Sequence, residues 1–340
     1  MAIEKLELEN FTVYEGLEAS FDSGINVLIG ENGTGKTHVM KVLHSACQAT
    51  DPGVSFTHKL VRTMLPDEYK ISRLIRRKQG NHVTKIRVVA SEEGRKKAIS
   101  TEFNNKTKKW EAAVKGEEAW ERDLKDLRST FIPAKEILSN SYNLGAAVDK
   151  NNVRFDDTYI DIINSAKIDI SVGRNTAEKE RQLNRIESIT EGKTYYDSKE
   201  DEFYLKIGNS KQEFNLVAEG IRKMSLLWQL IKNGALEKGT VLFWDEPEAN
   251  INPVHIPVIV ELLLELQRNG VQVFVATHDY MLAKYFEVKR TDGDSVKFHS
   301  FYKENGQVKY ECNNSFGMLK HNTIVEAFNK LLDEIYDMEE

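Results

Sequence analysis

The chain has 340 residues, 40% of them hydrophobic, with a formal net charge of −6 and a pI near 5.9. That is enough apolar material for one large domain or two, and the charge excludes a global electrostatic pull towards nucleic acid or an anionic membrane. Its two cysteines, Cys47 and Cys312, lie far apart without metal-ligand spacing, so neither a disulfide scaffold nor a zinc module is expected and a reducing cytoplasm is the simplest setting.

The alternation of Ile3, Leu6, Leu8 and Phe11 predicts an opening strand, and "YEGLEASFDSG" a second one ending in a turn. The charged, alternating N-terminus is not a signal peptide, and no apolar run reaches the length of a membrane span. "GINVLIG" (Gly24 to Gly30) reads as a short buried strand, and the spacing of Val39, Met40, Leu43 and Ala46 predicts a helix after Lys36. Between them, "GENGTGKT" fits G-x-x-x-x-G-K-[ST] in the strand–turn–helix context that a phosphate cradle requires. Gly30, Gly33 and Gly35 let backbone N–H groups converge on phosphate oxygens, and the helix N-terminus adds its positive dipole end. Lys36 is placed to reach the β- and γ-phosphates and Thr37 to ligate Mg²⁺, with Asn32, Thr34 and His38 completing the candidate ATP contacts.

Between His58 and Lys97 the chain becomes locally basic, with Lys78 among the cations. "YKISRLIRRKQGNHVTKIRVVA" predicts a helix and a strand presenting Arg73, Arg76, Arg77 and Lys85. Such a cluster offers either a salt-dependent DNA or RNA contact or a plain solvated face. "FIPAKEILS" (Phe131 to Ser139) follows as a strand and turn, and "TAEKERQLNRIESI" (Thr176 to Ile189) as a helix too short for a coiled coil. From Ile221 onward, apolar spacing through Met224, Leu227, Trp228 and Ile231 marks an amphipathic helix. The step Ala218-Glu219-Gly220 at its start is a second anion site.

"VLFWDEPEANINP" opens with an apolar run suited to a central parallel strand and ends in adjacent carboxylates. Asp245 at the strand's carboxyl end is the candidate Mg²⁺ ligand opposite Thr37, and Glu246 the candidate general base. A third strand, "VQVFVAT", delivers His278 to the same edge as a γ-phosphate sensor. Two further strands ("VKFHSFY", "GQVKYEC") and a final helix follow. That helix carries Ile324, Phe328, Leu331 and Ile335 on one face and is expected to pack on the core.

The order of phosphate loop, Ala218-Glu219-Gly220, Asp-Glu strand, "EANINP" and His278 resembles the ABC class of ATPases. There these segments correspond to the signature motif, D-loop and switch histidine. "IEKLELENFTVYEGLEASFDSGINVLIGENGTGKT" is similar to the opening of the RecF, Rad50, SMC and OLD branch, and "AEGIRK" to the degenerate signature of OLD-type ATPases. "FIPAKEILS" occupies the Q-loop position without its Gln, where Lys135 or Glu136 stands instead. The resemblance implies an α/β P-loop fold: an ABC-type mixed sheet with antiparallel N-terminal strands, an inserted helical and basic subdomain, and no long coiled coil.

Four segments are expected. Residues 1–50 open the ATPase domain and 51–126 form the basic insertion. Residues 127–285 complete the core, and 286–340 add strands and a helix. By the same resemblance, two copies sandwich two ATP molecules, each capped by Ala218, Glu219 and Gly220 of the other copy. The stretch after His278 is short for an appended nuclease domain. The chain thus resembles stand-alone ATPases of anti-phage systems of the Septu and PARIS type, which act with a separate nuclease or toxin effector. A RecF-type repair ATPase that binds DNA, and an ATP-bound scaffold holding an effector inactive, are the alternatives.

Overall fold

A computed structural model describes residues 1–339 except 78–79, 151–152, 171–172 and 174. Strands β1 (Ala2–Phe11) and β2 (Tyr14–Ser20) form a hairpin, followed by β3 (Ile25–Gly30) and helix α1 (Lys36–Gln48). Helix α2 (Phe56–Met64), strands β4 (Val83–Glu92), β5 (Arg95–Asn104) and β6 (Val114–Lys115), helix α3 (Glu117–Asp123) and strand β7 (Arg128–Ile132) come next. Helices α4 (Leu144–Asp149), α5 (Asp157–Lys167) and α6 (Ala177–Thr190) lead into β8 (Lys193–Asp197), β9 (Glu202–Ile207) and β10 (Ser210–Glu213). The chain then runs through α7 (Glu219–Asn233), β11 (Thr240–Asp245), α8 (Ile256–Arg268), β12 (Gln272–Thr277) and α9 (Tyr280–Lys289). It ends with β13 (Val296–Glu304), β14 (Gln307–Asn313) and α10 (Thr323–Glu339).

The central sheet has the order β14-β13-β3-β12-β11-β7, parallel throughout except for β14. Its inner strands are buried on both faces, which is why they read as continuous apolar runs. Val27, Leu242, Trp244 and Val275 face a core shared with α7, α8 and α9; Leu28, Phe243 and Phe274 face α1 and the second sheet. That second sheet, β2-β1-β4-β5-β6, is antiparallel. Residues 51–126 therefore contribute β4 directly beside β1, with β5 and β6 beyond it. Along that seam Leu6 pairs with Val88 and Leu8 with Ile86 on the buried face, while Glu7 meets Arg87 and Glu9 meets Lys85 on the wet one.

Register fixes the site. Ile29 lies opposite Thr277, Ala276 opposite Asp245 and Trp244 opposite Ile132, so four strands end together at one edge of the sheet. A charged seam braces α1 from behind: Lys41 pairs with Asp156, His44 with Asp161, Lys59 with Asp157 and Asp161, and Arg62 with Asp157. Among the described residues no helix is long and apolar enough to cross a membrane.

Two expectations are corrected. The helix predicted across "YKISRLIRR" is instead a pair of single 3-10 turns, Asp67–Tyr69 and Ile71–Leu74. Tertiary bonds overrule the spacing: Thr12 donates to Leu74 O, Arg76 donates to Asn10 O, and Ile75 bridges to Phe11. Helix α10 packs only through its start, where Ile324 and Val325 join the core and Phe328 stacks on Tyr280 at 4.1 Å. Leu331 and Ile335, expected on the buried face, are exposed.

Candidate active site

The loop from Gly30 to Gly35 turns because three of its residues take positive φ that only glycine adopts cheaply: 138° at Gly30, 77° at Gly33 and 89° at Gly35. Neighbours close the same positions sterically. A Cβ on Gly30 would sit 2.0 Å from Phe301 O, and one on Gly35 would sit 2.7 Å from Tyr14 Oη. Gly35→Ala is accordingly expected to open the loop and weaken ATP binding at least tenfold. Titration with a fluorescent ATP analogue checks this, and unchanged affinity would count against the loop's role.

Lys36 is buried, and its Nζ donates to Gly30 O at 2.7 Å and Glu31 O at 3.0 Å. Among the described residues no carboxylate lies within salt-bridge distance of it, and burial brings its ammonium down to about 8 against the pull of Asp245, Glu246, Glu248 and Glu31. A desolvated cation held only by carbonyls is a place for an anion. Thr34 is buried with its hydroxyl on Glu31 O, and Asn32 is exposed with its carbonyl 3.3 Å from Lys303 Nζ. His38 Nδ1 meets Thr12 Oγ1 at 3.1 Å, and burial, with Lys41 nearby, holds the ring neutral at about 4. Phe11 and Tyr14 are fully buried, which leaves neither ring free to stack on a base.

Across the loop, Thr37 Oγ1 donates to Asp245 Oδ2 at 2.9 Å. Burial pushes the Asp245 carboxyl up to about 6; Glu246 adds to the rise, while Thr37, Lys41 and Lys36 oppose it. A hydroxyl and a carboxylate side by side are the oxygen donors a hard divalent cation prefers. Among the described residues no group of three or more His, Cys, Asp or Glu is built to hold a metal alone. Mg²⁺ here would rest on Thr37 and Asp245 with oxygens of the nucleotide and water, so the residues fit an ATP–Mg²⁺ complex.

Glu246 begins the next turn at φ 47°, its N–H bonded to Ala276 O at 2.9 Å. His278 Nε2 stands 3.5 Å from Glu246 Oε1. Burial and the nearby Lys36 lower the His278 pKa, with Glu246 opposing, so the ring is mostly neutral at pH 7. The arrangement brings together a cation, an oxygen pair for a metal, a carboxylate and an imidazole around one glycine loop.

The start of α7 is close by but turned partly inward. Ala218 is exposed as its N-cap and Glu219 half-buried, yet a Cβ on Gly220 would lie 2.4 Å from Asn250 O of the same chain. At the Q-loop position the Glu136 side chain is buried and ion-paired with Arg222 at 2.8 Å, while Lys135 is exposed. Glu136 is thus committed to the helix that follows the signature segment.

The basic stretch is largely neutralised. Arg73 faces Asp67 at 3.7 Å, Arg76 faces Glu15 at 3.4 Å and Lys85 faces Glu9 at 2.9 Å. Arg73, Arg76 and Arg77 line one surface cavity of about 450 Å³, and Lys85 lines another. Lys78, counted in the same stretch, lies outside the described residues.

Sequence reading missed three residues. Glu248 accepts from Thr277 Oγ1 at 2.6 Å and from the His278 N–H at 3.3 Å, tying the segment after Glu246 to the histidine turn. Lys223 is buried beneath that segment. Lys303 stands beside the phosphate loop, 3.8 Å from Glu31. Glu248 opens "EANINP" and Lys223 closes "AEGIRK", but neither motif by itself gives these side chains a role, and Lys303 sits in no motif.

A glycine loop on a parallel strand, with Asp-Glu and His at the ends of neighbouring strands, defines a P-loop ATPase of the ABC class, in the RecF, Rad50 and SMC branch. The chain belongs to the family described as "AAA domain, putative AbiEii toxin, Type IV TA system", whose model matches residues 25–283.

Its sequence is similar to the DNA replication and repair protein RecF of Oceanobacillus iheyensis, 54% identical over 44 residues, 13% of this chain. It is also similar to RecF of Ligilactobacillus salivarius, 32% identical over 100 residues, 29% of this chain. The matches span only 12% and 26% of those proteins' lengths. The fold is similar to an SMC head bound to the C-winged helix domain of ScpA, with a TM-score of 0.62 at 14% identity, covering 92% of this chain and 98% of that one. The SMC head domain of Thermotoga maritima gives 0.51 at 14% identity over the same shares.

Proposed function

We propose that this ATPase is a nucleotide-controlled switch in which two copies close around two ATP molecules. Lys36 and the N–H groups of Gly33, Thr34 and Gly35 hold the phosphates, with Asn32 and His38 at the margin. Thr37 and Asp245 hold Mg²⁺, which supplies charge neutralisation on the phosphate oxygens. Glu246 orients the attacking water and takes its proton; neutral His278 donates to the γ-phosphate. Ala218, Glu219 and Gly220 of the second copy cap each nucleotide with a helix N-terminus. One observation carries this reading: Thr37 stands 2.9 Å from Asp245 and Glu246 stands 3.5 Å from His278, both across the mouth of one glycine loop. Molecular mass in solution tests it. A dimer that forms with Mg·ATP and dissolves with ADP is expected, and a lone subunit that hydrolyses ATP at full rate would end it.

For the work done by the switch, we propose anti-phage defence together with a separate nuclease or toxin effector. The family description, which names a toxin and a type IV toxin–antitoxin system, supports that direction. The local RecF similarity favours a second reading, a repair ATPase acting on DNA. Filter binding to DNA ends and gaps, with and without ATP, separates the two. Under the defence reading, with Arg73, Arg76 and Lys85 already paired to acids, Arg76→Ala combined with Arg77→Ala is expected to change DNA retention by less than twofold. A loss of tenfold or more, steeper at low salt, favours the RecF-like function.

A further inference from the structure

We infer that Lys223, on the second turn of α7, is a positioning residue for hydrolysis: it holds from beneath the turn that carries Glu246. The inference rests on the reading of Glu246 given above.

Lys223 is 2% exposed and among the largest fully buried side chains of the protein. Its Nζ reaches Ala249 O at 2.8 Å and Glu246 O at 3.4 Å. Among the described residues no carboxylate lies within salt-bridge distance of it. Burying an ammonium on backbone carbonyls is costly, and burial lowers its pKa, with the fields of Glu219, Glu248, Glu246 and Glu136 opposing. A simple packing role would be filled better by Leu or Met, so the charge and its donors have a use here.

That use lies in the shape of the segment above it. Glu246 and Asn250 are both in the left-handed region, at φ 47° and 63°, without being glycine. Such a backbone persists only where its surroundings over-determine it. The surroundings act from two sides. Glu248 anchors the segment to Thr277 and to the His278 N–H. Lys223 anchors it to α7, and Gly220, one turn earlier, lets Asn250 lie directly against that helix. Without the ammonium, the carbonyls of Glu246 and Ala249 lose a buried donor, and the turn relaxes towards ordinary φ values. The Glu246 carboxylate then leaves its place beside His278. Lys36 and Thr37 are held by β3 and α1 and do not touch Lys223, so ATP binding stays intact.

The experiment compares Lys223→Met, Lys223→Gln and Glu246→Gln in the full chain, reading kcat from phosphate release and Kd from a fluorescent ATP analogue. Lys223→Met is expected to lower kcat at least tenfold while Kd moves less than threefold. A Lys223→Met enzyme with wild-type kcat, or with kcat and affinity falling together, overturns the inference. If Lys223→Met does not fold, Lys223→Gln carries the test: it keeps a donor but loses the reach and the charge, so kcat must fall at unchanged Kd, and wild-type kcat overturns the inference equally. Full turnover in Glu246→Gln overturns the underlying assignment instead, and an inactive Glu246→Gln beside a full-speed Lys223→Met removes this inference alone.

Discussion

Glu246→Gln is expected to slow ATP hydrolysis by roughly 100-fold or more, the range lost when a positioned general base is removed. The substitution is isosteric and leaves the backbone constraints in place: the N–H on Ala276 O and the carbonyl facing Lys223 do not depend on the carboxylate. What it removes is the proton acceptor 3.5 Å from His278. Since Lys36, Thr37 and Asp245 are untouched, ATP affinity should change less than threefold. If hydrolysis is what releases the second copy, the ATP-bound dimer must outlive the wild-type one in proportion to the lost rate. Single-turnover phosphate release and sedimentation velocity after an ATP chase measure the two quantities together. A slow enzyme whose dimer dissolves at the wild-type rate would uncouple assembly from hydrolysis and defeat the switch.

How much of this was legible in the sequence follows from how local each signal is. The phosphate loop, the Asp-Glu strand and the histidine strand are each a short buried strand ending in a polar step. A few consecutive residues specify both the fold and the chemistry there. The parallel order that brings Gly30, Asp245 and Thr277 to one edge then does the rest. Lys223 was not legible: at helical spacing it reads as an interruption of an apolar face, and its partners Glu246 and Ala249 belong to another element.

The pairing of the basic stretch was not legible for the opposite reason. Arg76, Lys85 and Arg87 are conspicuous along the chain, but Glu15, Glu9 and Glu7, which face them, come from strands β1 and β2 far earlier. Counting cations in a window cannot register acids supplied by a neighbouring strand. The same tertiary competition dissolved the helix expected around Arg73, because the β1–β2 turn took the backbone bonds of Leu74 and Arg76.

Asp245→Asn is expected to make the nucleotide-free protein more stable and, in the same stroke, unable to gain stability from Mg·ATP. Burial holds the Asp245 carboxyl at about 6 against an ordinary value of 3.8, so between those pH values the folded chain keeps a proton that the unfolded chain has lost. Folding is therefore progressively penalised as pH rises from about 4 to about 6, and the penalty stays constant above that. A gap of this size corresponds to at most about 3 kcal/mol. Asparagine keeps an oxygen for the Thr37 hydroxyl and carries no charge to desolvate. Scanning calorimetry of the apo protein should place the variant several degrees above wild type at pH 8, with the two curves meeting near pH 4. Adding Mg·ATP should reverse the order, because only the ionised wild-type carboxylate offers the metal a negative oxygen. A variant melting below wild type at pH 8 without nucleotide would mean the carboxylate is satisfied in the empty site. Asp245 would then have no unmet charge for a metal to relieve.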